Sequence, residues 1–191
     1  MINKILKKKF KTFEIITYKK FLSKSNTYPK VTIVTLVYND EKNIERTIKN
    51  ILTQNYKNFE YIVLYTPSKD NTLKIIKKYQ NKIDKVIIGY KRGIYENMNL
   101  ATKFAEGEYI NFMNCGDYFE NNKIISDIFK FENNAEVIYG NCKILYPNLI
   151  RPVKAHKLKK LKFEMAFTHQ SSFVKTELQK KFKFNTNYKY S

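Results

Sequence analysis

Polar and charged side chains that could bind a phosphorylated ligand recur in four segments of the sequence. The segments read TIVTLVYND at 32–40, YTPSKDNT at 65–72, RGIYENMN at 92–99 and EGEYINFMNCGDYF at 106–119. Lys91 and Arg92 precede a predicted helix, and a helix N-terminus flanked by cations binds phosphate groups. Asp117 could offer a hard carboxylate oxygen to Mg²⁺ or Mn²⁺, although a single Asp after a strand is more often a turn residue.

Strand and helix patterns alternate between these segments. Short β-branched runs such as Val31–Val37 are typical of buried strands, and apolar residues at helical spacing, as at Ile44, Ile48 and Ile51, predict amphipathic helices. The predicted elements are, in order, strand 31–37, a helix capped at Asn39 or Asp40, strand 60–65, helix 71–79, strand 85–88, helix 94–105, strand 108–113, helix 121–131, strand 136–139 and a short helix at 175–181. This order predicts an α/β fold with a Rossmann-like, mostly parallel sheet, helices on both faces, and ligands at the carboxyl ends of the strands.

The overall charge favours a polyanionic partner. The chain has 191 residues, the size of one domain, and carries 36 Lys and Arg against 17 Asp and Glu, a net charge of +19. Nucleic acid, anionic lipid and phosphorylated ligands are the candidates, but no helix-turn-helix, RNA-binding aromatic motif or zinc spacing supports nucleic acid. Cys115 and Cys142 form no disulfide framework or metal pattern, which predicts a reducing cytoplasm. The apolar runs are strand-sized, so no membrane-spanning segment is predicted.

Residues 1–29 form a basic amphipathic segment ahead of the domain predicted at 30–191. Nine lysines and the single acid Glu14 fall within residues 1–30. Apolar residues recur among them at roughly helical spacing, which predicts an amphipathic helix. Such a helix would either pack on the body of the domain or lie on an anionic membrane leaflet, and the sequence does not separate the two.

In order and spacing, the four polar segments resemble the nucleotide-binding region of family 2 glycosyltransferases, over about residues 30–190. The resemblance implies a GT-A fold that binds a nucleotide-diphosphate sugar together with Mg²⁺ or Mn²⁺. It also implies inverting transfer of the sugar to a cell-surface polysaccharide or to a lipid-linked acceptor. A cytoplasmic protein held peripherally at the inner face of the membrane would suit such an acceptor.

The resemblance assigns roles to individual residues. The loop after the first strand of the domain wraps the nucleotide base, with Tyr38 stacked near it and Asn39 and Asp40 beside it. Asp117 matches the last position of the family's metal-binding acidic motif. The other donor-binding residues that it implies are Asp70, Arg92, Glu96, Asn99 and His169, the last of these within HQSSF at 169–173. For Asp70, capping of the following helix is the alternative interpretation.

Several features depart from the family pattern. Tyr65, Gly116 and Asn141 stand where the family has acidic residues, so the cation is expected to bind more weakly. Inverting transfer needs a general base, which in the family follows the HQ feature. No acidic residue follows Glu177, so the base is expected beyond Ser191, in a part that this chain lacks. The alternative function is a catalytically inactive binding protein that retains the GT-A fold.

Overall fold

The computed structural model describes residues 28–89, 93–130, 135–157 and 165–188, and the backbone of two strands at 6–10 and 13–17. Within these ranges no helix is long and apolar enough to cross a bilayer. The elements are β1 (Leu6–Phe10), β2 (Phe13–Thr17), β3 (Val31–Val37), α1 (Ile44–Leu52), β4 (Phe59–Tyr65), α2 (Thr72–Lys78), β5 (Lys85–Gly89), α3 (Ile94–Phe104), β6 (Tyr109–Phe112), α4 (Ile124–Lys130), β7 (Val137–Tyr139), β8 (Cys142–Tyr146), β9 (Leu149–Val153), β10 (Ser172–Lys175) and α5 (Thr176–Phe182).

The main sheet is parallel at its centre and antiparallel at both flanks. Among the described residues its strand order is β1-β2-β5-β4-β3-β6-β10-β7. The four central strands, β5-β4-β3-β6, pair in parallel, whereas β2, β10 and β7 join antiparallel. From β3 the chain moves outward through β4 and β5 and then returns to the other side of β3 as β6. The connections from β3 and β6 therefore leave in opposite directions, the topology in which ligands bind at the carboxyl ends of the two strands. We call the junction of these two strand ends the crevice.

Apolar layers cover both faces of the sheet, as the helix and strand pattern predicts. On one face the α1 residues Ile44, Ile48 and Ile51 are fully buried, because their spacing places them on one side of the helix. That layer also includes residues of α2 and α4. On the other face Met98 and Ala101 of α3 belong to a second buried cluster with strand residues. The predicted α/β fold, with helices on both faces, is confirmed.

Three local predictions are wrong. The helix predicted within residues 1–29 is replaced over its described parts by the hairpin β1–β2, whose second strand pairs with β5 and satisfies hydrogen-bonding groups that β5 would expose as an edge. The first helix of the domain begins at Ile44 instead of directly after Asn39 or Asp40, since residues 41–43 form a turn closed by Ile44 N–H donating to Asp40 O. Strands β8, β9 and β10 have no counterpart among the predicted elements.

A buried ion-pair network ties the amino ends of three central strands together. Glu60 on β4 is 2% exposed and binds the ammonium of Lys85 on β5. Its Oε2 also accepts hydrogen bonds from Thr32 Oγ1 on β3 (2.7 Å) and from Glu106 N–H (3.0 Å). Burial by itself lowers the pKa of Lys85, but hydrogen bonds to Glu106 and Glu60 outweigh it and hold that pKa above its usual value. The network lies at the amino ends of these strands, opposite the crevice at the carboxyl ends of β3 and β6.

Lys85→Met should lower the free energy of unfolding by about 3–5 kcal/mol, because Glu60 would stay buried and charged without its cation. Urea denaturation followed by circular dichroism measures this. Lys49→Met is the matched control, since it removes an exposed partner of Glu45 on α1 and should change stability little. Adding Glu60→Gln to Lys85→Met should recover part of the loss. A small and equal effect of both single substitutions would contradict the role given to the network.

Candidate functional site

The loops that follow β3 and β4 are bonded to each other. Asn39 has a positive φ of 47°, a left-handed conformation that Asn adopts more readily than most residues. Its backbone N–H donates to Ser68 Oγ (2.9 Å), and its side-chain Oδ1 accepts the N–H of Lys69 (2.8 Å). Asp40 N–H donates to Thr72 Oγ1 at 3.1 Å. The loop is therefore fixed in place, with the Tyr38 side chain 43% exposed next to it.

Asp70 contributes to the same junction. One carboxylate oxygen accepts the N–H of Glu41 and the other accepts the N–H of Thr72, both at 3.0 Å. A hydrogen bond from the Thr72 side chain is the main cause of a lowered pKa at Asp70. These bonds agree with the capping interpretation, because they orient the first turn of α2 and join it to the loop after β3.

Tyr65 stands at the end of β4, where a carboxylate is expected from the family pattern. The ring is almost fully buried, and its phenol oxygen accepts the N–H of Ser68 at 2.8 Å. Ser68 in turn donates through Oγ to Thr66 O. A neutral acceptor thus shapes the turn after β4, and the loop keeps its conformation without a negative charge at this position.

Asp117 lies in a tight turn after β6. Its N–H donates to Asn114 O at 2.9 Å, and Gly116 within the turn has a φ of +96°, which a side chain would strain. Cys115 N–H donates to Leu36 O on β3, and its Sγ lies 3.8 Å from Asp40 O. The turn that carries Asp117 therefore abuts the loop after β3, on the crevice between β3 and β6.

Polar side chains of α1 hold the chain that follows this turn. Thr47 Oγ1 accepts the N–H of Gly116 and donates to Asp117 O. Asn50 makes two bonds to the backbone of Phe119, donating to its carbonyl at 2.9 Å and accepting its N–H at 2.8 Å. Gln54, just beyond the helix, donates to Asn121 O at 2.7 Å. Sequence reasoning missed these residues, although Thr47, Asn50 and Gln54 have the spacing of a helical stripe.

Buried amides bring the HQSS turn, residues 169–172, to the same crevice. Asn111 on β6 is fully buried and donates both amide hydrogens to backbone carbonyls, those of Gln170 (3.0 Å) and Ser172 (2.8 Å). Asn114 Nδ2 lies 3.1 Å from His169 Nε2. The side chain of Gln170 hydrogen-bonds Asp117. The predicted residues Asp117 and His169 therefore belong to one cluster, together with Asn114 and Gln170.

The electrostatics of this cluster suit a bound cation. Burial raises the pKa of Asp117 despite hydrogen bonds to Gln170 and to the backbone of Asn114. Burial also lowers the pKa of His169, so its imidazole is neutral near pH 7. Its Nε2 accepts the Asn114 amide hydrogen and would bind a cation only in place of that bond. Asn114 Oδ1 is buried, and no hydrogen-bond partner is found for it in the described part of the chain. Carboxylate, amide oxygen and imidazole are donors that Mn²⁺ accepts, and Mg²⁺ prefers the oxygens.

The donor set is small. No group of three or more His, Cys, Asp and Glu that could hold a metal occurs within the described ranges. A divalent cation that usually takes six ligands would therefore complete its shell with water and with ligand phosphates, as Mg²⁺ commonly does. The residues present fit such a shared site and do not fit a closed metal cage.

The structure does not gather the remaining predicted residues as closely. Asn99 on α3 holds the backbone of Phe184 through both ends of its amide, at 2.8 Å each, so its polar atoms are engaged by the chain itself. Glu96 folds back toward the N-terminus of α3, with its carboxylate in the space that a Cβ on Gly93 would take. Arg92, like Lys91 before it, lies outside the described residues. Asn141 accepts the N–H of Ala155 and borders the β8–β9 hairpin.

Comparisons with known proteins agree on one family. Residues 32–187 match the family model described as Glycosyl transferase family 2. The Escherichia coli protein named UDP-Glc:alpha-D-GlcNAc-diphosphoundecaprenol beta-1,3-glucosyltransferase WfgD is 33% identical over 122 residues, which cover 63% of this chain and 48% of WfgD. An uncharacterized glycosyltransferase of Methanocaldococcus jannaschii is 32% identical over 176 residues, 82% of this chain and 59% of that protein. The chain thus spans about half the length of the curated relatives it matches.

Solved structures show the same fold. Residues 1–349 of TarS from S. aureus superpose with a TM-score of 0.64 at 23% identity, covering 85% of this chain and 52% of that one. The mannosyltransferase PcManGT from Pyrobaculum calidifontis, solved with GDP-Man and Mn²⁺, gives a TM-score of 0.62 at 18% identity over 85% of this chain and 49% of its own. The GT-A fold expected from the sequence is therefore confirmed.

Asp117→Asn should raise the melting temperature of the protein in EDTA near neutral pH. The pKa of Asp117 is higher in the folded protein than in the unfolded protein. Its contribution to stability is therefore complete at pH values below the unfolded pKa and is lost as the pH rises through the folded pKa. Removing the charge should therefore raise the melting temperature most at neutral pH and least near pH 4. Thermal unfolding of both proteins across this range measures the difference.

Asp127→Asn, on the exposed side of α4, is the control for general effects of charge, because it removes the same charge from an exposed position. A loss of stability in Asp117→Asn that is the same at every pH would contradict the assignment of a desolvated carboxylate.

Proposed function

Because the chain belongs to glycosyl transferase family 2, we propose that it binds a nucleotide-diphosphate sugar in the crevice between β3 and β6, as the donor site of an inverting glycosyltransferase. The observation that carries the proposal is the cluster of Asp117, Asn114, His169 and Gln170 beside the loop after β3. WfgD is named for UDP-Glc, and a TarS structure contains UDP-GlcNAc, which favour a UDP-sugar as donor.

Each part of the crevice has a role in this proposal. The loop after β3, with Tyr38 at its exposed end, receives the nucleotide base, because an aromatic ring held beside a rigid loop can stack on a base. The Asp117 carboxylate, Asn114 Oδ1 and His169 would hold Mg²⁺ or Mn²⁺. A bound cation supplies Lewis-acid stabilisation of the diphosphate leaving group. Gln170 would hold the Asp117 carboxylate in place through its side-chain hydrogen bond.

The chain's own groups also fix the geometry of the crevice and limit the charge in it. The hydrogen bonds from Thr47 and Asn50 fix the turn around Asp117 before any ligand arrives, so the site needs little reorganisation. The neutral imidazole of His169 has one donor nitrogen and one acceptor nitrogen, and it adds no charge beside a cation. Removal of the acceptor's proton by a positioned base, worth about 10²–10⁴ in rate, completes inverting transfer.

For the acceptor we propose a sugar on a lipid carrier, handled at the inner face of a membrane by a cytoplasmic, peripherally bound protein. The names of two relatives support this class. WfgD is named for a diphosphoundecaprenol acceptor, and a Campylobacter jejuni relative, 27% identical over 120 residues covering 61% of this chain and 39% of that protein, is named for a PP-undecaprenol acceptor. The net charge of +19 suits an anionic membrane surface.

Binding of UDP should depend on the cation. Isothermal titration with UDP and GDP in Mn²⁺, and again in EDTA, should give measurable affinity for UDP only with the metal. Asp117→Asn should weaken binding in Mn²⁺ by about tenfold or more, because it removes the anionic ligand. Asp127→Asn should leave the affinity unchanged. Equal UDP affinity with Mn²⁺ and with EDTA would remove Asp117 from its proposed role.

A catalytically inactive binding protein is the second candidate, because Tyr65 and Gly116 replace carboxylates and Tyr65 is fully engaged in its own loop. Release of UDP from UDP-sugars, monitored by a coupled assay under the same conditions, separates the two. Metal-dependent release above the uncatalysed rate supports an enzyme, whereas metal-dependent binding without release supports the binding protein.

A further inference from the structure

The hairpin β8–β9 exposes an unusual concentration of apolar side chains. It spans Cys142–Tyr146 and Leu149–Val153 and forms a two-stranded sheet of its own. Leu149 and Ile150 are each 61% exposed. Ile144, Leu145 and Tyr146 on the other strand are 40–49% exposed. Isolated exposed apolar residues are ordinary, but a contiguous group of five at one hairpin end marks an interaction surface.

The strand register places these side chains on both faces of the ribbon. Residues directly opposite each other in an antiparallel pair lie on the same face. Tyr146 therefore shares one face with Leu149, and the next pair, Leu145 with Ile150, lies on the other. A ribbon that docks on a protein partner needs only one apolar face. A tip that is apolar all round suits immersion in an apolar medium.

Basic residues stand behind this apolar tip. Arg151 lies opposite Ile144, and Lys143 lies opposite Pro152 and also binds Glu120. From Val137 to Phe163 the sequence contains no Asp or Glu, and its Lys and Arg residues are Lys143, Arg151, Lys154, Lys157, Lys159, Lys160 and Lys162. An apolar end with cations behind it matches the layers of an anionic membrane, in which acyl chains lie beneath negative headgroups. Tyr146 has the amphipathic ring that favours the boundary between them.

The base of the hairpin is tied to the proposed donor site. Gly140 N–H, just before β8, donates to Ser171 O at 3.0 Å, within the turn that carries His169 and Gln170. After β9, Ala155 N–H donates to Asn141 Oδ1 at 2.9 Å, and His156 N–H donates to Ala166 O at 2.8 Å. A two-stranded ribbon is marginally stable alone, so these bonds fix its direction relative to the crevice.

We propose that the tip of the β8–β9 hairpin, residues 144–150, inserts into the interfacial region of an anionic membrane. Arg151, Lys154 and Lys157, which are exposed at and after β9, contact the headgroups. This contact deepens the proposed function and rests on it in one respect, since it would hold the donor site near a lipid-linked acceptor. Membrane insertion itself can be tested without any assumption about the sugar.

The absence of tryptophan from the sequence allows a direct test. Leu149→Trp places a single indole at the tip, and Phe182→Trp places one at a residue of α5 that is 69% exposed. With vesicles containing phosphatidylserine, emission from the Leu149→Trp variant should shift to shorter wavelength and become protected from acrylamide, because the indole enters an apolar environment. The control variant should show neither change. Emission from position 149 that stays at its value in water would overturn the proposal.

A second experiment measures the contribution of the tip to binding. Leu149→Ser with Ile150→Ser should weaken partition onto phosphatidylserine vesicles by about tenfold or more, because it removes two aliphatic side chains from the inserted end. Phe182→Ser, which removes a similarly exposed apolar side chain elsewhere, should not. Arg151→Gln should weaken binding to anionic vesicles and leave binding to phosphatidylcholine vesicles unchanged. Equal partition of the double variant and the wild type would overturn the proposal.

Two further readouts keep the outcomes distinct. UDP affinity in Mn²⁺ should be the same in the double variant and the wild type. A wild type that binds UDP but does not bind phosphatidylserine vesicles would overturn the hairpin proposal alone. Sedimentation velocity tests the competing occupant, a second copy of this chain. A wild-type dimer that the double substitution converts to a monomer would assign the tip to self-association and overturn membrane insertion.

Discussion

The parallel pairing of β3 with both β4 and β6 is the constraint on which the rest of the molecule depends. It places the turn carrying Asp117 directly beside the loop carrying Tyr38, although nearly eighty residues separate them in the chain. The two connections leave β3 and β6 in opposite directions, so in the described part of the chain neither α1 nor α4 connects these two strand ends directly. At the amino ends of the strands, opposite the crevice, the Glu60–Lys85 pair joins β4 to β5.

Side-chain amides hold several loops of the molecule in place. Asn39, Asn50, Asn99 and Asn111 each bond to backbone groups of a distant loop, and an amide can satisfy a carbonyl and an N–H together because it carries both a donor and an acceptor. Neutral clamps of this kind add no charge of their own to the loops that they hold. Asn141 likewise closes the base of the β8–β9 hairpin by accepting the Ala155 N–H, and the Gly140 N–H joins that base to the turn carrying His169 through Ser171 O.

Sequence periodicity was sufficient to predict the central strands and the helices that pack on them, because burial on both faces of the sheet produces β-branched runs and helical apolar stripes. It was insufficient at the flanks. Strand β10 is set by pairing with β6 and β7, and β2 by the open edge of β5, neither of which leaves a local signature. The family resemblance implied site roles for Asp117, His169 and Asn99. The structure brings Asp117 and His169 together, and it places the amide of Asn99 on the backbone of Phe184. Long-range partners of this kind are invisible to spacing.

The replacement of carboxylates by Tyr65 and Gly116 has a consequence for how cation and nucleotide bind. Tyr65 still accepts the Ser68 N–H, so the loop is preserved while a negative charge is lost. Asp117 is the anionic ligand of the proposed site. A cation that binds there without nucleotide has few oxygen ligands, and a diphosphate that binds without a cation is repelled by the Asp117 carboxylate. The nucleotide therefore supplies phosphate oxygens to the cation, and the cation supplies positive charge to the diphosphate. Cation and nucleotide should bind as a pair, each raising the affinity for the other by the same factor, since coupling between two binding equilibria is reciprocal.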